Sequence, residues 1–517
     1  MAGEQAAGGT RALHADALRA LADASGHGTG TAADAARALE ALGTQAWTLP
    51  GGWWLEFDRL ARSAGLLRYR PGRGFADGAL PEPWRWALEV CAADGRTREA
   101  VLELPALPRR HPVLLPLLVV RCSDWVAPVR ERAAAALAEV LDGAPARETA
   151  QACAAAWACG SRSRGGTAEG VAAARLDAAD GAVWRELSAW PDRPTRRRAL
   201  AEALQRQALT ADEVVDLVLA DPDVVVGLRG AEYVLLRAVP PEGSAGPSAP
   251  PALVDRLLTC RTPQVRAAAV TVLHRAGRPG AAAPFLADRS AAVRQCARWV
   301  LRGDGRGPAA LCREQFDRPG RPVTPGAVSG LAECGDRADA PRLRALLAHP
   351  GAKVRAAALR GLAALDPLPP DELADVVDRD ASPAVLRAAV QALLPDAHRV
   401  PRARLDGWLA PGRPGRLRRH AAALLRARGS WDRLEAGLRL VHDADPGLAR
   451  EALEDLRAWA AGAATGYRRV AAGQLALLGG LLDAAGGSGE DGAGGGPLDG
   501  PTVRVLRGAL AAARPSG

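Results

Sequence analysis

Between Asp406 and Asp432 the chain has no acid but carries Arg413, Arg416, Arg418, Arg419, Arg426 and Arg428, with His420 among them. So dense a row of guanidinium groups is what a phosphate backbone or an acidic protein surface requires. The same residues also fit a solvated helix face in an arginine-rich chain. A smaller group, Arg193, Arg196, Arg197 and Arg198, precedes another helical stretch and has the same two readings. A different chemistry needs an aromatic platform beside a carboxylate. Trp125 next to Asp124, and Trp53-Trp54 with Glu56 and Asp58, supply those residue types. Asp124, however, stands in a turn before a helix, where an acid caps free amides, and adjacent tryptophans in an aromatic segment more often build core.

Other reactive residue types are scattered. The eight cysteines include no C-x-x-C pair, and the eight histidines have no metal-ligand spacing. Buried free thiols, suited to a reducing compartment, are the expectation for the cysteines. H-E-x-x-H, G-x-x-x-x-G-K-[ST] and G-x-S-x-G are all absent from the sequence. Gly28-Thr29-Gly30 and Gly494-Gly495-Gly496 follow no strand that would make a phosphate cradle. No catalytic residue, cofactor or metal is therefore expected. The net charge is +9, and all but Lys353 of the 67 basic residues are arginine, as a high-GC coding bias would give. That charge permits attraction to nucleic acid or anionic lipid without demanding it. Met1 opens a polar stretch unlike a signal peptide, and the greasiest run, Pro112 to Val120, falls short of the ~18 apolar residues of a membrane helix. A soluble cytoplasmic protein is expected.

The elements that would position these residues repeat one phrase. An aliphatic residue is followed by arginine, then by a small residue and a leucine, with the aliphatic residue, the small residue and the leucine on one helical face. It reads Val129-Arg130…Ala133…Leu137, Val265-Arg266…Ala269…Leu273, Val293-Arg294…Ala297…Leu301 and Val354-Arg355…Ala358…Leu362. Looser copies start at Val385, Leu417-Arg418 and Leu448, and worn ones run from Asp192 to Leu204 and from Asp221 to Leu235. Asp288, Ser290 and Pro383 stand where helices begin, and Gly335 and Gly361 fit tight turns or close helix contacts. A unit this short cannot bury its apolar face alone, so tandem copies predict a stack. Alanine's high helix propensity and the scarcity of aromatic residues, 4% of the chain, make the fold class all-α.

The phrase, above all from Leu331 to Leu362, resembles HEAT-type helical repeats of the short bacterial variety. The resemblance covers about Leu115 to Ala460. It implies a right-handed α-solenoid of tandem antiparallel helix pairs, nine to eleven in number, whose second helices line a concave surface. It also implies that Arg130, Arg266, Arg294, Arg355 and Arg418 reach along the stack to a carboxylate or to helix C-terminal carbonyls of the neighbouring unit. The expected organisation is an Ala/Gly-rich segment over 1–45, an aromatic-rich cap over 46–115 and a solenoid over 116–485 with an insertion loop at 240–251. A Gly-rich acidic linker over 486–500 and a terminal helix and tail over 501–517 complete it. Members of such families serve as scaffolds and adaptors, so the expected function is non-catalytic binding of a protein partner. Gln295, Arg360, Gln391, Arg413, Arg416, Arg419 and His420 are the expected contacts. The alternative is nucleic-acid binding, at its extreme an excision enzyme resembling the DNA-alkylation-repeat glycosylases.

Overall fold

Alanine-rich text with an aliphatic residue every three or four positions can hide its apolar atoms in one way, as amphipathic helices packed on one another. A computed structural model describes residues 49–63, 82–103, 106–241, 249–303, 305, 307–318, 320, 322–462, 470–486, 497–513 and 515–516. The segment expected over 1–45, the middle of the expected cap, most of the insertion loop and most of the linker lie outside the described residues. Within them the chain is all-α, apart from a two-residue parallel pairing of Val470–Ala471 with Pro515–Ser516. It divides into two compact units, Met1–Ala276 and Gly277–Gly517.

In the unit Met1–Ala276, the helix Ala127–Leu141 carries the first full copy of the phrase. Val129 and Ala133 are wholly buried and Leu137 nearly so. Burying each such valine or leucine contributes about 1.5–3 kcal/mol over leaving it in water. The worn copies are real helices of the stack. Arg193–Gln205 starts on an Asp192 cap and Val224–Ala238 on an Asp223 cap. They pack in file with Pro263–Arg275, whose Val265, Ala269 and Leu273 are buried in the same register. The aromatic helix Gly51–Ser63 packs on Leu115–Arg121 and Ala146–Cys159. Its Trp53 and Trp54 meet edge to face at 4.8 Å over Phe57, and all three rings are buried.

In the unit Gly277–Gly517, Pro325–Cys334, Ala352–Leu365, Pro383–Leu393 and Gly415–Arg428 lie side by side as second helices. Val354, Ala358 and Leu362 face inward, as do Val385, Ala389 and Leu393, and Leu417, Ala421 and Leu425. Gly361 is needed for the close approach: a Cβ there would stand 2.9 Å from Ala332 Cβ and 2.8 Å from Leu343 Cδ1. The first elements of the pairs are less regular. Pro279–Ala287 is a 3₁₀ helix, because Pro284 inside it has no amide for an i−4 bond. The terminal helix Gly500–Ala512 docks through Val503 and Leu506 into a core of Leu434, Leu438, Leu456, Trp459, Leu478 and Leu482. Each unit is thus a stack of helix pairs, the construction of an α-solenoid.

Candidate partner-binding face

Two populations of arginine share these helices, and separating them defines the site. The first population is internal. Arg355 Nη1 donates to the carbonyls of His349 (2.8 Å) and Pro350 (2.9 Å), while its Nε donates to Asp380 at 2.7 Å. Arg418 repeats this with the Arg413 carbonyl and with Asp443 at 2.6 Å. Arg294 repeats it with the Asp288 carbonyl at 2.7 Å and with Glu333. Arg266 donates to the carbonyls of Cys260 and Arg261, and Arg130 to that of Asp124. The expected geometry needs one correction. The carbonyls belong to the turn just before the arginine's own helix, not to the neighbouring unit. Only the carboxylate comes from the next repeat. It is itself an anchor: Asp380 accepts the Ser382 amide, and Asp443 the Asp445 amide. In Arg355 and Arg418 one guanidinium therefore fixes the entry of its own helix and the turn of the next repeat, whereas Arg294 reaches the last turn of the helix Pro325–Cys334. We call this arrangement a latch.

Two latches escape the sequence pattern. Arg98 Nε and Nη2 both reach Asp124 at 2.9 Å, while Nη1 holds the Ala92 and Ala93 carbonyls. Arg196 holds Asp221 at 2.7 Å and the Trp190 and Pro191 carbonyls. In both, threonine (Thr97, Thr195) stands where the phrase has valine or leucine. Reading threonine as the β-branched isostere of valine would have found them.

These contacts also decide what the aromatic–carboxylate pairs can do. Asp124 is buried and accepts from Arg98, from Arg121 Nη1 at 2.8 Å and from the Val126 amide at 3.0 Å. Burial alone would raise its carboxyl, but the hydrogen bonds and the two guanidinium groups hold it below the usual range. Asp58 is likewise buried among Arg121, Arg62 and Arg162, whose charges outweigh burial and lower it. Neither carboxylate is left to activate water beside a base. Trp53 and Trp54 are core, whereas Trp125 is 65% exposed with Arg98 6.0 Å from its ring. Among the described residues no group of three or more His, Cys, Asp or Glu side chains could hold a metal, and no helix is long and apolar enough to cross a membrane.

The basic clusters part company here. Arg193 and Arg197 pair with Asp223, Arg196 with Asp221, and Arg198 with Glu169 and Glu202. That cluster is consumed by the stack. In the other, Arg418 is a latch, Arg426 faces Asp455 at 3.6 Å, and Arg428 holds Asp432 and three carbonyls from Ala397 to Val400. Arg419 lies across the next repeat's Glu451 at 3.0 Å. Arg413 and Arg416 are exposed and have no ion pair among the described residues.

Three of the remaining expected contacts, Gln295, Arg360 and Gln391, are exposed side chains of second helices. Gln295 lies on Ala291–Gly303 with Trp299, which is 55% exposed, one turn further on. Arg360 lies on Ala352–Leu365 and Gln391 on Pro383–Leu393, again on the solvent side. Arg387, one turn before Gln391, was not among the expected contacts. It too is exposed and unpaired among the described residues. His420 is half-buried: burial, then Arg387 of the preceding repeat and Arg419 beside it, push its imidazole below the ordinary value. Ala352–Leu365 packs on Pro383–Leu393, and that helix on Gly415–Arg428, so Arg360, Arg387 and Arg416 lie on successive helices of one row.

No protein-family model matches the sequence, and no curated protein matches it. Solved structures similar to it include importin beta in an ammonium sulfate condition, at 11% identity and a TM-score of 0.26, covering 92% of this chain and 76% of that one. Kap121p bound to Pho4p shares 14% identity at a TM-score of 0.23, covering 96% of this chain and 49% of that one. An engineered protein shares 14% at a TM-score of 0.17, covering 96% and 98%. The chain spans about half the length of the Kap121p chain. Likenesses this distant carry no argument about what the chain binds.

Proposed function

We propose that this is a HEAT-like repeat protein of the short bacterial type, acting in the cytoplasm as a non-catalytic scaffold. Its partner is a protein with an acidic surface, seated on the second-helix face that presents Gln295, Arg360, Arg387, Gln391, Arg413, Arg416 and His420, with Arg419 beside them already paired to Glu451. The observation that supports this is a division of labour. Latches and inter-repeat pairs consume the other arginines of the 413–428 segment and all four of the 193–198 cluster, yet Arg360, Arg387, Arg413 and Arg416 stay exposed without a carboxylate. Exposed, unpaired charge adds little to folding but steers an oppositely charged partner. Gln391 and the exposed Trp299 add polar and apolar contact.

The test is co-purification of the full chain from its native cell, compared with R360E/R387E/R416E. The expected result is a stoichiometric protein partner retained by the wild type and lost from the variant. Duplex DNA binding that is strong, falls steeply with salt and vanishes in the variant, with no protein retained, would overturn the scaffold in favour of nucleic acid. Release of an alkylated base from duplex DNA would overturn the non-enzymatic reading. An acidic partner also leaves a signature at His420. Neutralising Arg387 removes one of the causes that depress its imidazole, so binding should raise its pKa.

A further inference from the structure

Six of the eight cysteines are buried, and Cys296 and Cys334 are half-buried. Burial pushes the Cys153 thiol up to about 12 and the Cys159 thiol to about 11, and it raises Cys91 and Cys122 as well. Such thiols are inert, because the thiolate is the nucleophile. Cys334 differs. It ends the helix Pro325–Cys334, which packs against Pro308–Phe316, and its Sγ lies 2.9 Å from Cys312 Sγ. Cys334 also donates to the Gly330 carbonyl at 2.9 Å. An S–S bond is about 2.05 Å long, so closure requires the sulfurs to approach by roughly a further 0.9 Å.

From this juxtaposition we infer that Cys312 and Cys334 are a redox-active dithiol that closes reversibly to a disulfide across one helix pair, with Cys334 the attacking sulfur and Cys312 the resolving one. The electrostatics agree. The Cys312 contact lowers the Cys334 thiol against the cost of its burial, with Arg298 helping and Glu333 and Asp339 opposing. The same contact and burial raise Cys312. Arg298 is held over this end of the helix by Glu333, the neighbour of Cys334. Cys334 is also the member of the pair that solvent reaches.

The oxidant class is a small disulfide such as oxidised glutathione. The Cys334 thiolate attacks one of its sulfurs, the S–S bond breaks, and one glutathione thiolate leaves. Cys312 then gives its proton to solvent and its sulfur attacks Cys334 Sγ, expelling the second glutathione thiolate. Two protein thiols and one small disulfide become one protein disulfide and two small thiols.

The test uses the reduced full chain. Brief labelling with iodoacetamide should modify Cys334 at least ~10-fold faster than Cys312 and Cys296. After exposure to oxidised glutathione, tryptic peptides 307–313 and 314–337 should appear joined, two hydrogens lighter than their sum, and separate again in dithiothreitol. C312S, checked for folding by circular dichroism, should instead accumulate glutathione on Cys334. Equal labelling of Cys334 and Cys296 in the wild type, or oxidation that joins no such peptides, overturns the inference, and both readouts need no variant to fold.

Discussion

Arg193–Arg198 and Arg413–Arg428 look alike as text, yet the stack treats them differently. Every arginine of the first cluster finds a carboxylate: Asp221, Asp223, Glu169 or Glu202. The second keeps Arg413 and Arg416 free and adds Arg360 and Arg387 from neighbouring helices. The difference lies in what stands about one repeat further along the chain. Asp221 and Asp223 follow the first cluster at the turn where the next helix starts. After the second, Asp443 meets Arg418 and Glu451 meets Arg419, while Gly447 occupies the place that corresponds to Arg416 in the following copy. A cluster of positive charge is thus a site only after the acids of the next repeat have been subtracted.

The severest way to break this comparison is to remove a latch's carboxylate. Asp124→Ala leaves Arg98 and Arg121 buried without their shared partner and should cost about 3–5 kcal/mol, read as a fall in the urea midpoint. A milder change sharpens it. Arg196→Ala gives up Asp221 and two carbonyls and should cost about 1.5–3 kcal/mol. Arg416→Ala should change stability by no more than ~0.5 kcal/mol while weakening partner binding. Equal destabilisation by the two would erase the distinction between latch and face. The smallest effect concerns His420. Its folded pKa lies below its ordinary value of 6.5, so the unfolded chain takes up the proton first. The stability held above pH 6.5 should then decline as pH falls toward the folded pKa. His420→Gln should remove that increment, seen as a shallower acid limb in thermal melts at low salt.

Much of this was legible in the sequence, because the second helices obey a 3.6-residue period that burial enforces. Val265, Ala269 and Leu273, or Val385, Ala389 and Leu393, are core because each triplet returns to one face. All five arginines of the ladder were legible from the same register, and Arg294, Arg355 and Arg418 among them complete a latch. Arg98 and Arg196 were not, since Thr97 and Thr195 broke the aliphatic pattern without altering side-chain shape. The carbonyl half of each latch was misplaced because it depends on how the preceding turn folds back, which no spacing encodes. Arg387 was overlooked because it lies outside the dense run of arginines. Only the stacking of Pro383–Leu393 beside Gly415–Arg428 brings its helix next to that run. The Cys312–Cys334 contact likewise joins residues 22 apart that share no motif.

On the proposed face it is the unlatched arginines, and not the latched ones, that hold the partner. The direct measurement is the dissociation constant of the co-purified partner for the wild type, for R387E/R413E/R416E and for R193E, each at two salt concentrations. We expect the triple reversal to weaken binding at least ~10-fold and to flatten its salt dependence, with R193E close to wild type. Equal affinity across all three proteins would contradict the account.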